Sequence, residues 1–217
     1  MDYRRTIWEN RKLQKTPFLA AHRGIYGANI PCNTLLSYKI ALEQGADIVE
    51  IDVSKSRDGQ FFVFHPGMEP AYLDCGKYLW EMSAEEIKTL PLLNCDNVPT
   101  HYRIPTLQEV FALLKDKAYI NVDKYWTDVE GITQEIRRAG VEKQVIVKTP
   151  TDEEHLAAVE KYASDFMFMP LVRGEDRVTE LLKGRNINHI GNEILFETEH
   201  SLLIQKSYID GLHKRKL

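Results

Sequence analysis

No apolar run in this sequence approaches the roughly 20 residues a helix needs to cross a bilayer. Met1 to Pro17 alternates charge and polarity and has no apolar stretch of the signal-peptide kind. Neither membrane integration nor secretion is therefore expected, and a cytoplasmic protein is. Cysteine is scarce. Cys32, Cys75 and Cys95 are odd in number and lack the Cys-x-x-Cys spacing of metal sites, so reduced thiols are the plain expectation. Positive charge is not in excess either: 28 Lys and Arg face 32 Asp and Glu, a net charge of -4. No nucleic-acid partner is expected of such a molecule, and an anionic ligand would need a local cluster of cations or a metal. No Gly-x-Gly-x-x-Gly follows an apolar run, which leaves a dinucleotide-binding sheet without support.

The chain has 217 residues, 43% of them hydrophobic, and shows no linker or low-complexity segment, so one domain over 1–217 is expected. Short apolar runs, β-branched or aromatic, alternate with amphipathic stretches throughout. The runs are Phe18–Ala21, Asp47–Val53, Phe61–His65, Ala118–Val122, Val145–Lys148, Phe166–Val172 and Ile190–Phe196. They suit buried strands. Helices are predicted over Thr34–Gln44, from Ser83, and over Thr106–Leu114, Thr127–Ala139, Thr151–Tyr162 and Asp176–Lys183. Gly45 stands where a helix C-terminus favours glycine, and Ser83 with Glu86 has capping-box spacing. Strand and helix in alternation mean a parallel sheet, and a TIM-type (β/α)₈ barrel is the leading fold.

In such a barrel the C-terminal strand ends form the face that carries chemistry. Polar residues end four of the apolar runs: His22 and Arg23, Glu50 and Asp52, His65, and Asp123 with Lys124. Glu50 and Asp52 are two apart on a strand and so share a face. An isolated Glu-x-Asp is usually structural. Inside an apolar strand, two converging carboxylates instead repel unless a cation lies between them, and Asp123 would add a third oxygen ligand of the kind that suits Mg²⁺ or Ca²⁺. His22 and His65 are the acid–base candidates after strands, since imidazole exchanges protons near neutrality. The other five histidines are read as structural. Arg23 and Lys124, joined by Lys148 at the end of the fifth run, could hold phosphate oxygens, Arg with a planar fork and Lys as a point charge.

The order of these motifs resembles the glycerophosphodiester phosphodiesterase family. The resemblance rests on Ala21-His22-Arg23-Gly24, Pro31-Cys32-Asn33-Thr34, Gly45 to Val53, Asp58-Gly59, Phe64-His65, Ile104 to Val110 and Asn121-Val122-Asp123. It runs in order from about Leu19 to Lys148 and fades beyond. It implies His22 and His65 as general acid and base, Glu50, Asp52 and Asp123 as ligands of one divalent cation, and Arg23 as a phosphate contact. The implied reaction cleaves a small glycerophosphodiester to glycerol 3-phosphate and an alcohol. A neighbouring glycerol hydroxyl would attack first, and water would open the resulting cyclic phosphate.

The chain departs from that pattern in places. Cys32 stands where the family usually has Glu, and a thiol replaces neither its charge nor its acceptors. Pro66-Gly67-Met68-Glu69 follows His65 in place of an Asp, with Glu69 as a candidate substitute. Lys124 follows Asp123 directly, where the family's basic residue comes two positions later, so strand alternation points it to the opposite face. The family's later Trp-(Thr/Val)-Asn and Thr-Asp-x-Pro strands are absent from the sequence. An incomplete barrel is expected, its exposed edges covered by residues after Phe196, by a second subunit in a homo-oligomer, or by a continuation of which this chain is a fragment. Two alternatives to an active hydrolase follow: a metal- and phosphate-binding module with poor turnover, and a scaffold completed by a partner. Lipid-headgroup cleavage shares the strand-end logic, but no membrane-docking segment accompanies it.

Overall fold

A computed structural model of the chain describes residues 2–3, 5–13, 16–215 and 217. Its centre is a parallel sheet of β1 (Ala20–Ala21), β2 (Ile48–Lys55), β6 (Tyr119–Asp123), β7 (Val145–Val147) and β8 (Met167–Phe168), paired in that order. β3 (Phe61–Val63) joins the sheet at β2, while β4 (Pro91–Leu93) with β5 (Pro99–Arg103) and β9 (Leu171–Arg173) with β10 (Glu193–Leu195) form two small sheets. The helices are α1 (Ile7–Arg11), α2 (Leu35–Glu43), α3 (Glu69–Tyr72), α4 (Ala84–Thr89), α5 (Leu107–Leu114), α6 (Val129–Ala139), α7 (Glu153–Tyr162), α8 (Val178–Leu181) and α9 (Lys206–Lys214).

Strand alternation sorts the sheet's side chains into two layers. Val49, Ile51, Val53, Ile120, Val122, Val145 and Val147 face outward and are buried under α2, α5, α6 and α7, whose apolar stripes include Tyr38, Phe111, Ile132 and Leu156. The alternate residues face inward. At their lower end Ile48, Tyr119, Ile146 and Met167 pack with Ile7 and Phe18 from the N-terminal segment. At their upper end the inward positions are polar. This is the wall of a (β/α)₈-type barrel, helices outside and side chains converging within.

The capping expectations hold. Ser83 and Glu86 form a reciprocal capping box at α4, as do Thr106 and Glu109 at α5, and Gly45 follows α2 at φ +85°. Other expectations need correction. The third apolar run is no parallel barrel strand: β3 turns back and pairs antiparallel with the end of β2, Val53 opposite Val63. The Ser56–Gln60 turn, with Gly59 at φ +90°, is short enough to make a hairpin, and a parallel return needs a long crossover. The sixth run breaks at Pro170 into β8 and β9. The expected helix from Thr127 starts at Val129, because Asp128 caps it through Gly131 N–H. Near the basic C-terminal end, Leu212, His213 and Lys214 belong to α9, with Leu212 buried.

The N-terminal lead-in, left without structure by its polar pattern, carries α1. Asn10, 2% exposed, donates to the Tyr119 hydroxyl at 2.6 Å, and that hydroxyl donates to Arg5 O at 3.0 Å. Tyr119→Phe strands the buried Asn10 amide without this acceptor, and an unmade buried hydrogen bond costs about 1–3 kcal/mol. Urea unfolding of the variant is expected to show a lower midpoint with an unchanged m-value.

Candidate active site

The β2–β6 register sets Glu50 opposite Asn121 and Asp52 opposite Asp123, all on the inward face. One oxygen from each of Glu50, Asp52 and Asp123 lies within 4.8 Å of the other two. Glu50 and Asp52 are buried, Asp52 completely. Burial, then the charge of Asp52, pushes the Glu50 carboxyl up to about 8, even though its Oε2 accepts the Arg23 N–H at 2.9 Å. Asp123 goes the other way. Burial acts to raise it, but Lys148 and Lys124 outweigh that and hold it below the usual range.

Asp52 is held from two sides. Its Oδ2 accepts from Asn33 Nδ2 at 2.9 Å and lies 2.9 Å from Arg23 Nε. The second contact is an ion pair out of line with the N–H bond, so Nε makes no hydrogen bond among the described residues. Asn33 is in turn oriented by the Tyr38 hydroxyl, fully buried in α2, which donates to Asn33 Oδ1 at 2.7 Å. The chain of donors runs Tyr38 to Asn33 to Asp52. Asp52 Oδ1 is buried and finds no hydrogen-bond partner among the described residues. An orphaned carboxylate oxygen facing two more carboxylates fits a hard divalent cation, which takes oxygen ligands of this kind.

Local backbone geometry places the remaining groups. After β1 the chain turns sharply: Arg23 sits at φ +58° and Gly24 at φ +79°. A Cβ on Gly24 would come within 2.6 Å of Ser37 Oγ, so only glycine lets this turn pack against α2. His22 opens the turn at the mouth. Burial of its ring, then the Arg23 charge, lowers it below the ordinary histidine value, which leaves it neutral at pH 7. His65 comes from the β3 hairpin, which returns it to the level of Asp52: its Nε2 is 4.0 Å from Asp52 Oδ1. Its Nδ1 lies 2.9 Å from Pro66 O, which fixes Nδ1 as the protonated nitrogen and leaves Nε2 to face the site.

Lys124 also reaches the site, against strand alternation. It occupies the left-handed region at φ +60°, where the β6 pleat ends, so its ammonium folds back to Asp123 Oδ2 at 3.1 Å and lies over the Trp126 ring. Lys148, following β7, is buried beside Asp123 Oδ1 at 3.6 Å and bonds Glu193 Oε2 of β10 at 2.7 Å. All eight residues singled out from the sequence thus meet at one end of the sheet. Cys32 is buried near Arg23 and the Tyr72 hydroxyl. Glu69, the candidate substitute for the Asp missing after His65, is fully buried: its Oε1 accepts the Leu79 N–H at 3.0 Å and its Oε2 has no hydrogen-bond partner among the described residues. Sequence reasoning assigned no role to Asn33, Tyr38 or Glu193. Asn33 lay within a quoted motif; the other two carried no local signal.

Comparison with known proteins agrees with this geometry. The family model of the glycerophosphoryl diester phosphodiesterase family matches residues 22–217. A glycerophosphodiester phosphodiesterase of Caldanaerobacter subterraneus subsp. tengcongensis is 32% identical over 137 residues, 59% of this chain and 56% of that protein. The chain therefore spans little more than half the length of this relative. A glycerophosphoryl diester phosphodiesterase structure from Parabacteroides distasonis superposes with a TM-score of 0.77 at 22% identity, over 93% of this chain and 70% of that one. An Oleispira antarctica phosphodiesterase, solved in complex with the product sn-glycerol-3-phosphate, superposes with a TM-score of 0.62 at 23% identity, over 82% of this chain and 74% of that one. At such identities the structures establish the fold, and the family match joins the fold to the strand-end residues: the chain belongs to the glycerophosphoryl diester phosphodiesterase family.

Proposed function

We propose that this chain hydrolyses small glycerophosphodiesters to glycerol 3-phosphate and an alcohol, using one divalent cation, Mg²⁺ or Ca²⁺, held by Glu50, Asp52 and Asp123. The observation that carries the reading is the carboxylate triad with its orphaned Asp52 oxygen, set between two histidines and three cations. Charge supports it. Arg23, Lys124 and Lys148 face Glu50, Asp52, Asp123 and Glu193, so the ionised cluster is one negative charge in excess. A divalent cation reverses that to one positive charge, the complement of a phosphodiester monoanion. The glycerol 3-phosphate complex of the Oleispira antarctica neighbour supports the same substrate class.

When bound, the cation would withdraw charge from a phosphate oxygen and ease the crowded transition state. The chain's own groups do the rest. Arg23, anchored through Nε at Asp52, directs its terminal nitrogens to a non-bridging oxygen, and Lys124 and Lys148 add charge beside it. His22, resting neutral, takes the proton from the attacking hydroxyl. His65 acts as the imidazolium: it gives its Nε2 proton to the departing alkoxide and is left neutral, with Nδ1–H still held by Pro66 O. In the first step the substrate's own glycerol hydroxyl forms the new O–P bond as the alkoxide bond breaks. In the second, water opens the cyclic phosphate and the two histidines exchange roles. The three free thiols suit a reducing, cytoplasmic setting.

Release of glycerol 3-phosphate from a panel of glycerophosphodiesters, with each metal and with chelator, tests the reading. His22→Ala and His65→Ala should each lower kcat by about 10²-fold or more, and chelation should abolish turnover. Undiminished turnover by the double variant would sink the assignment.

A second expectation concerns pH. Glu50 must lose its proton to ligate a cation, and its carboxyl sits at about 8 in the metal-free fold. Cation affinity should therefore climb roughly tenfold per pH unit below that value and level off above it. Calorimetry in buffers of different ionisation enthalpy should record the released proton. Because the folded value lies above the ordinary one, the metal-free protein should also lose stability as pH rises toward and through about 8, and added cation should restore it. Thermal melts across pH 5 to 9, with and without Mg²⁺, check the sign.

A further inference from the structure

Lys148 has two carboxylates within reach and is committed to one of them. Its ammonium is 2.7 Å from Glu193 Oε2 and 3.6 Å from Asp123 Oδ1. The side chain is only 4% exposed, so the charge cannot retreat to water, and a buried ammonium requires an anionic partner. The position of Glu193 is set by backbone pairing rather than by a flexible reach. Leu171 N–H donates to Thr149 O at 3.0 Å, and Glu193 N–H donates to Pro170 O at 2.9 Å. Two successive strand contacts thus carry the chain from the residue after Lys148 to Glu193. Its carboxylate is the more exposed of the two, 28% against 15% for Asp123, and so the less costly to keep ionised.

We propose that Glu193 is a positioning residue that draws the Lys148 ammonium off Asp123, leaving that carboxylate to the cation. Without the Glu193 charge, the nearest remaining anion for Lys148 is Asp123, and ammonium and cation then compete for one carboxylate. The inference rests on the cation-binding reading of Glu50, Asp52 and Asp123.

Calorimetric titration of the full chain with Mg²⁺ in a double-mutant cycle tests it without recourse to activity. Glu193→Gln should weaken Mg²⁺ binding by about tenfold, the scale seen when outer partners of metal ligands are removed. Glu193→Asp, with a shorter arm, should fall between. In a Lys148→Met background the Glu193→Gln change should have almost no effect, because the competing ammonium is gone. Equal weakening in both backgrounds would show Glu193 acting only as a distant negative charge and would overturn the proposal. So would unchanged binding in Glu193→Gln. If Glu193→Gln does not fold, as judged by thermal melting, the Glu193→Asp pair of titrations decides by the same criterion. Absence of binding of both Mg²⁺ and Ca²⁺ in the unaltered protein would instead overturn the cation site itself, a distinct result; if Ca²⁺ alone binds, the same cycle is read with Ca²⁺.

Discussion

The mutual repulsion of three carboxylates on the inner face of a buried sheet is the constraint around which the upper half of this molecule is arranged. Charged oxygens within 4.8 Å of one another, two of the three residues buried, have no stable arrangement without compensation. The surrounding chain supplies part of it. The Arg23 backbone and side chain divide between Glu50 and Asp52, Asn33 supports Asp52, and two lysines flank Asp123. What is left over is uneven. Glu50 rests at about 8, Asp123 is held low, and one oxygen of Asp52 has no partner. That residue of unmet charge is a better indication of chemistry than any motif, because a structure built only for stability would place apolar side chains there.

The compensation has a backbone cost. Arg23, Asn33 and Lys124, none of them glycine, all lie in the left-handed region, and each turns a functional group toward the cluster. Such conformations cost on the order of 1–3 kcal/mol each and persist where the surroundings fix them. Here the fixing is visible. Gly24 lets the first turn settle on Ser37, and the Tyr38 hydroxyl locks the amide of Asn33. The Lys124 amide bonds Asp123 as its ammonium does, so the kink closes on the carboxylate it serves. The lower half of the barrel is filled instead by apolar packing of Tyr119, Ile146 and Met167 with Tyr3, Ile7 and Phe18 of the N-terminal segment.

The division between what the residues foretold and what they concealed follows the range of the forces involved. Period-two alternation within β2 is a local property, so the shared face of Glu50 and Asp52 was readable, as was the capping box at Ser83. Strand-end polarity likewise pointed to every member of the cluster named beforehand. The direction of β3 was misread because a short apolar run has the same appearance in either orientation, and turn length, not composition, decides it. Lys124 was named for the site, but its face was misjudged because alternation was carried one residue past the point where the pleat ends. Tyr38 and Glu193 were invisible for another reason. A tyrosine on an apolar helix stripe resembles packing, and a glutamate before Ile194 resembles a solvated edge, until tertiary pairing brings a partner to each.

The reversal at β3 has a bearing on how the site comes into being. His22, Arg23, Asn33, Glu50, Asp52 and His65 lie on one continuous stretch, joined by the β1–β2 pairing and by a hairpin of a kind that closes within microseconds. Asp123, and Lys148 beyond it, join that stretch only through the β2–β6 seam, which pairs Ile48 with Tyr119 across β3, α3, α4, the β4–β5 pair and α5, a contact of high sequence separation that forms slowly. An acid–base pair and two carboxylates could thus be brought together early, while the third carboxylate and its lysine wait for the β2–β6 seam. Any species populated before that seam closes would carry the reactive groups without the full ligand set, so maturation of the cation site becomes a report on the long-range half of folding.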